Sequence, residues 1–213
     1  MLKDGIHAIF PMPIFHSNEY QLSTKEQKLL IKLCDDYKHT KVENTGQGTN
    51  KSSVDAYILH RYSELSNLKK YFEDKIHEYT RGYLKISDKT KFYITQSWVN
   101  KNAKGTYHHV HSHQNSILSA VYFITGNLSK IVFQRSEDDQ LFPTFDLARD
   151  EYNLYNADTW AMPDSKNSLY LFPSKLEHSV PINKHKETRY TISFNVFVKG
   201  SIGGNYKLTE LLL

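Results

Sequence analysis

The stretch "YHHVHSHQNS", residues 107–116, sets four histidines within six positions. Neutral imidazole is the commonest protein ligand for first-row metals, so the first question is whether these rings hold an ion. His111 and His113 are separated by one residue; on a β-strand both point to one face and can grip a single metal. On that alternation His109 shares their face and His108 points away. The same cluster can also be a solvated loop or an adventitious metal binder.

A third ligand must come from elsewhere, and His178 in "LYLFPSKLEHSV" is placed to supply it. An apolar strand runs into Pro173, the chain turns, and the histidine arrives just before the next apolar residue. Alone, such a histidine is more often structural. Eleven residues later Arg189 opens "RYTISFNVFV". Period-two alternation puts Tyr190, Ile192, Phe194, Val196 and Val198 on one face and Arg189, Thr191, Ser193 and Asn195 on the other. The polar face has none of the Lys or Glu that a solvated strand often carries. Its fixed fork of donors at Arg189, with small hydrogen-bonding groups beyond, suits a carboxylate inside a barrel.

Helices come first among the elements that must position these groups. In "STKEQKLLIKLCDDY", Ser23 and Glu26 have capping-box spacing, and Leu29, Leu30, Leu33 and Tyr37 follow at helical intervals. A second helix, about 63–80, carries Leu65, Leu68, Phe72, Ile76 and Tyr79 and is predicted to stop before Gly82. Pro11 and Pro13 keep the opening segment extended, suited to a sheet edge. "NTGQGTNKSS", residues 44–53, reads as a mobile loop. After residue 90 the texture turns to strands: 91–100, 117–125, 129–134, 168–173 and 189–198, with 135–167, around Pro143 and Pro163, as an insertion of short strands. The pattern predicts a mainly β protein with N-terminal helices, in one domain over 1–213. Within it, 1–90 is the extended segment and supporting helices, 91–200 the core and 201–213 a tail.

Composition excludes little but points one way. With 213 residues and a formal charge of +4 spread without a block of like charges, nucleic-acid binding gets no special support. The lone Cys34 rules out an internal disulfide, reads as a small buried apolar group in the first helix, and fits a reducing compartment. No apolar run approaches the ~20 residues that span a bilayer. A soluble, cytoplasmic protein is expected.

The ordered motifs resemble the 2-oxoglutarate and Fe(II)-dependent oxygenases, which fold as a double-stranded β-helix, or jelly roll. The likeness is strongest to a sparsely characterised branch with members in phage and marine bacteria. It rests on "FPMPIF" near the amino terminus, "WVN" at 98–100, "HSH" at 111–113, "LSAVYF" at 118–123, "FPSKLEH" at 172–178 and "RYTISFN" at 189–195. It covers most of residues 8–200. The resemblance implies Fe(II) on His111, His113 and His178, with His113 standing where the superfamily usually has Asp or Glu. It implies 2-oxoglutarate chelating the metal, its far carboxylate on Arg189 helped by Ser193 or Thr191, and Asn195 orienting the metal-bound carboxylate. Asn100 and Tyr122 would line the pocket. "NKNAKGTYHHVH" also resembles the Asn-x-Tyr-x-x-Gly run of the alkylation-repair branch, with Asn102 in place of the tyrosine.

The implied reaction is hydroxylation by O₂ with 2-oxoglutarate decarboxylated to succinate, in the host cytoplasm if the chain is viral. Three neutral imidazoles would leave more positive charge on the metal than a set with a carboxylate, and would admit zinc or copper as well. The missing carboxylate also suits two other readings: a jelly-roll binding or virion-associated protein with a decayed site, and a cupin-like three-histidine metalloenzyme without 2-oxoglutarate. Pairing His109 with His111 instead shifts the motif register by two residues. The residues do not identify a substrate, and a homodimer is compatible with them.

Overall fold

The computed structural model describes residues 4–35, 40–42, 50–126, 128–137, 140, 145 and 147–213. The elements run β1 (Phe15–Ser17), α1 (Thr24–Asp35), β2 (Thr40–Val42), β3 (Lys51–Ser53), α2 (Ile58–Arg61), α3 (Ser66–His77), β4 (Thr90–Asn102), β5 (His108–His111), β6 (Leu118–Phe123), β7 (Ile131–Gln134), β8 (Thr159–Met162), β9 (Leu169–Pro173), β10 (His178–Val180), β11 (Arg189–Ile202) and β12 (Leu211–Leu212). The large sheet has the order β1-β9-β6-β11-β4-β3-β2, with β12 on β11, and the small one β5-β10-β7-β8. Every named strand pair is antiparallel. Two such sheets face to face, with helices on the outer face of the larger, make the expected mainly β jelly roll with N-terminal helices.

The capping box starts α1 as predicted: the Ser23 N–H donates to Glu26 Oε2 (2.8 Å) and the Glu26 N–H to Ser23 Oγ (3.2 Å). Ser23→Ala leaves the Glu26 N–H without its acceptor, and urea unfolding should show a loss of about 1 kcal/mol. Leu30 and Cys34 of α1 and Leu68, Phe72 and Ile76 of α3 pack on Ile192, Phe194 and Val196 of β11. Tyr37 lies outside the described residues. The second helix does not stop before Gly82. It widens into a π-helical turn over Glu78–Tyr83, where the Leu84 N–H reaches back to Tyr79 O.

The inner face of the large sheet meets the small one through Val121, Phe123, Tyr170 and Phe172 against Ile131 and Phe133. β6 is therefore buried on both faces, which is why "LSAVYF" is apolar rather than alternating.

Two segments depart from the loop-and-tail expectation. Lys51–Ser53, at the end of the predicted loop, forms β3 because the edge of β4 offers a ladder to it; residues 44–49 lie outside the described set. The tail folds back so that Ser201 and Ile202 pair with Leu212 and Leu211. The amino-terminal segment lies on a sheet edge as expected, β1 against β9, and Tyr79 Oη donates to Pro13 O (2.7 Å). Among the described residues, no helix is long and apolar enough to cross a membrane.

Candidate metal and cosubstrate site

Antiparallel pairing of β5 with β10 sets His178 directly across from His111. His113 arrives differently from the sequence expectation. β5 ends at His111, so the two do not share a strand; the chain turns, and the His113 N–H is held by Ser174 O (3.0 Å) in the loop after β9. The ring centroids of His111 and His178 are 4.3 Å apart, and His113 lies 5.2 Å from each. One ring nitrogen from each of the three falls within 4.8 Å of the other two. Small rotations about the side-chain bonds bring such nitrogens to the ~2.1 Å that a first-row metal needs.

Backbone carbonyls fix how the rings present themselves. His111 Nδ1 lies 2.9 Å from His109 O, and His178 Nδ1 3.0 Å from Leu176 O. A carbonyl only accepts, so each Nδ1 carries the proton and each Nε2 keeps its lone pair for a metal. His113 shares a hydrogen bond with the Asn195 side chain. Asn195 Oδ1 in turn accepts from Ser119 Oγ (3.1 Å), which lies 2.8 Å from Ser174 Oγ. Trp98 stacks on His113 with centroids 5.7 Å apart.

Burial, with His111 close by, lowers His178 to about 3 and His113 to about 4, so both rings are neutral ligands at pH 7. Below about pH 6.5 the unfolded chain takes up protons at these positions that the folded chain does not, so metal-free stability falls with acidification until pH nears the folded values. Melting of metal-free protein between pH 8 and 5 should show the midpoint dropping below pH 6.5; a flat profile there would contradict the burial of these rings.

A one-residue bulge overturns the strand alternation read from the sequence. His178 pairs with His111 but Val180 with His108, so three residues of β5 span two of β10. His108 therefore lines the cavity and stacks on His111, 4.2 Å between centroids, while His109 is exposed. His108, His109 and His111 form a second, more open group of converging ligand atoms.

The cavity between the sheets has a volume of about 290 Å³, with Trp98, Asn100, His108, Arg189, Thr191 and Ser193 among its walls. Arg189 is 2% exposed. Its Nη1 donates to Asn102 Oδ1 (3.2 Å), its guanidinium lies over Phe123 at 4.9 Å, and Nε and Nη2 have no partner. Burial draws its pKa down to about 10, so it is still a cation at pH 7. Asn100 Nδ2 donates to Ser193 Oγ (3.0 Å).

Tyr122 does not line this cavity. Its ring is on the helix-covered face of β6, against Phe72, and its hydroxyl lies 2.9 Å from both Tyr20 O and Asn167 Oδ1. Of the other residues placed in the site from sequence, Asn100, Ser193, Asn195, Arg189 and the three histidines all line the cavity.

A family model described as "Putative 2OG-Fe(II) oxygenase" matches residues 96–195, a span from β4 to β11 that contains all three histidines and Arg189. This core belongs to the 2OG-Fe(II) oxygenase superfamily. No curated protein matches the chain.

Solved structures share the oxygenase fold. The non-heme α-ketoglutarate-dependent carbocyclase SnoK from nogalamycin biosynthesis superposes with a TM-score of 0.61 at 15% identity, over 89% of this chain and 82% of its own. HygX from Streptomyces hygroscopicus, solved with nickel, 2-oxoglutarate and hygromycin B bound, gives 0.56 at 8% identity over 87% and 82%. A prolyl-4-hydroxylase of Pseudomonas putida gives 0.55 at 11% over 86% and 92%. The cofactors of the superfamily are Fe(II) and 2-oxoglutarate. The oxygenase core here fits both: converging imidazoles suit the metal, and a buried cation with two unpaired N–H groups suits a carboxylate.

Proposed function

We propose that the chain is an Fe(II)- and 2-oxoglutarate-dependent dioxygenase, working as one domain, that hydroxylates a substrate the sequence does not identify. His111, His113 and His178 would hold the metal, and Arg189 the far carboxylate of 2-oxoglutarate. The observation that carries this reading is the buried Arg189 guanidinium, with Nε and Nη2 unpaired, on the wall of the cavity into which the three imidazoles converge.

When bound, Fe(II) and 2-oxoglutarate supply the oxidising power: one atom of O₂ ends in succinate as carbon dioxide leaves, and the other in the substrate hydroxyl. The chain's own residues bind, orient and exclude water. Arg189 offers a fixed bidentate fork that sets the cosubstrate's length and direction relative to the histidines. Asn100 and Ser193, bonded to each other, form the polar wall beside it. Asn195 steadies His113 and is itself held by Ser119. Val121, Ile131 and Phe172 give the space between the sheets an apolar wall on the side away from this polar one.

His113 in place of a carboxylate favours a second reading, a cupin-like three-histidine enzyme without 2-oxoglutarate, but that reading leaves Arg189 without an anion. Protein loaded with Fe(II) and 2-oxoglutarate under argon and then exposed to air should form succinate. Succinate no higher than that from His178→Ala protein would rule the dioxygenase reading out.

A further inference from the structure

Hydrogen-bonding capacity that the fold leaves unmet is concentrated in one place. Among the described residues, the buried side-chain atoms without a partner are Nδ2 and Oδ1 of Asn50, Oγ of Ser52, Oδ1 of Asn100, Nδ2 of Asn102, and Nε and Nη2 of Arg189. Sheet register sets four of these side by side: Ser52 pairs with Asn100, and β11 pairs Arg189 with Asn102 and Thr191 with Asn100. Asn50 precedes Lys51, the partner of Lys101, and its N–H donates to Tyr107 O (3.0 Å).

Residues opposite one another in a sheet present side chains to the same face. Two polar rows therefore run side by side: Asn102 and Arg189 across β4 and β11, with Asn50 just before β3, and Ser52, Asn100 and Thr191 across all three strands. Lys101, between them in sequence, belongs to the other face, where its Nζ donates to Asp35 of α1 (2.6 Å). Asn50 is 1% exposed and Ser52 0%.

Each such atom buried without a partner gives up the hydrogen bonds it would make in water, and native folds keep few of them. Asn100 and Arg189 line the cavity and β3 reaches its wall through Ser53, so the unmet groups gather beside the cavity and indicate a ligand. Arg189 Nε and Nη2 and the amide nitrogens of Asn50 and Asn102 are donors, which an anion satisfies. Oδ1 of Asn50 and Oδ1 of Asn100 are acceptors, which a carboxylate cannot satisfy. The rows need an anion together with a group that both donates and accepts, and water is the smallest such group.

We propose that these rows are the terminal subsite for the cosubstrate's far carboxylate, and that Ser52 of β3 and Asn50, just before it, are positioning residues that hold it through a bridging water. The proposal rests on reading Arg189 as the cosubstrate anchor. It gives a role to a segment outside residues 96–195, the span of the family match, that reaches the cavity wall through Ser53.

The test compares 2-oxoglutarate with 2-oxobutyrate, which has the same keto acid but no far carboxylate. Both are titrated into Fe(II)-loaded protein under argon, following the visible charge-transfer absorption, for wild type, Asn50→Leu and the milder Ser52→Ala. Each variant should bind 2-oxoglutarate about 5- to 20-fold more weakly and 2-oxobutyrate unchanged. Melting without ligand gives an independent readout. Because the replaced atoms are unpaired, Asn50→Leu should melt at or above the wild-type temperature, whereas a residue with a purely structural role would lower it. Unchanged 2-oxoglutarate affinity in both variants overturns the proposal alone. Absence of the band in wild-type protein with either acid overturns the cosubstrate reading beneath it.

Discussion

Replacing His178 with alanine should abolish metal binding while leaving the protein folded. His178 is the buried member of the triad, 6% exposed, seated against Phe172 at 4.9 Å and oriented by Leu176 O. Losing even a partner that merely orients a ligand costs 10- to 100-fold in metal affinity, so losing the ligand itself should cost more than about 100-fold. Competition titration with a chromogenic chelator measures this directly. The second group, His108, His109 and His111, supplies the control: His109→Ala should bind Fe(II) as the wild type does. Were His109→Ala to lose the metal and His178→Ala to keep it, the ion would belong to the outer group.

Arg189→Ala should weaken 2-oxoglutarate by several hundred-fold and leave Fe(II) affinity unchanged. Truncating one partner of a buried, hydrogen-bonded charge pair costs about 2–5 kcal/mol. Here the fork is rigidly placed by Asn102 and Phe123, with little side-chain entropy left to lose. Arg189→Lys should recover only part of the affinity, because a point charge on a flexible stem cannot make the paired bonds of a planar fork. Equilibrium titration of the metal-loaded variants with 2-oxoglutarate checks both. A cupin-like enzyme that does not use 2-oxoglutarate would show metal chemistry indifferent to either change.

Much of this was legible in the residues. Strict alternation in β11 announces two chemically different faces, and the fold keeps them apart: Tyr190, Ile192, Phe194 and Val196 pack under the helices while Arg189, Thr191, Ser193 and Asn195 line the cavity. The capping box of α1 is a local signal and is found where it was read.

What could not be read is set by pairing between distant strands. "LSAVYF" is apolar on both faces, so nothing in it says which face meets the cavity, and Tyr122 falls on the other. The bulge that brings His108 inward is fixed by β10, some 70 residues on, and alternation within "YHHVH" gives the opposite answer. His113 joins the site through a loop bond to Ser174, not through strand geometry. β3, whose Ser52 carries an unpaired hydroxyl, sits at the end of a stretch of turn formers where the edge of β4 makes a strand.

The most direct test of the site is an anaerobic titration of Fe(II)-loaded wild-type protein with 2-oxoglutarate, recording the visible metal-to-ligand charge-transfer band. A saturable band with one equivalent of 2-oxoglutarate is expected, since His111, His113 and His178 leave coordination positions for the keto acid and Arg189 holds the far end. A folded, iron-loaded protein that develops no band would show that three histidines and Arg189 do not together form a 2-oxoglutarate site.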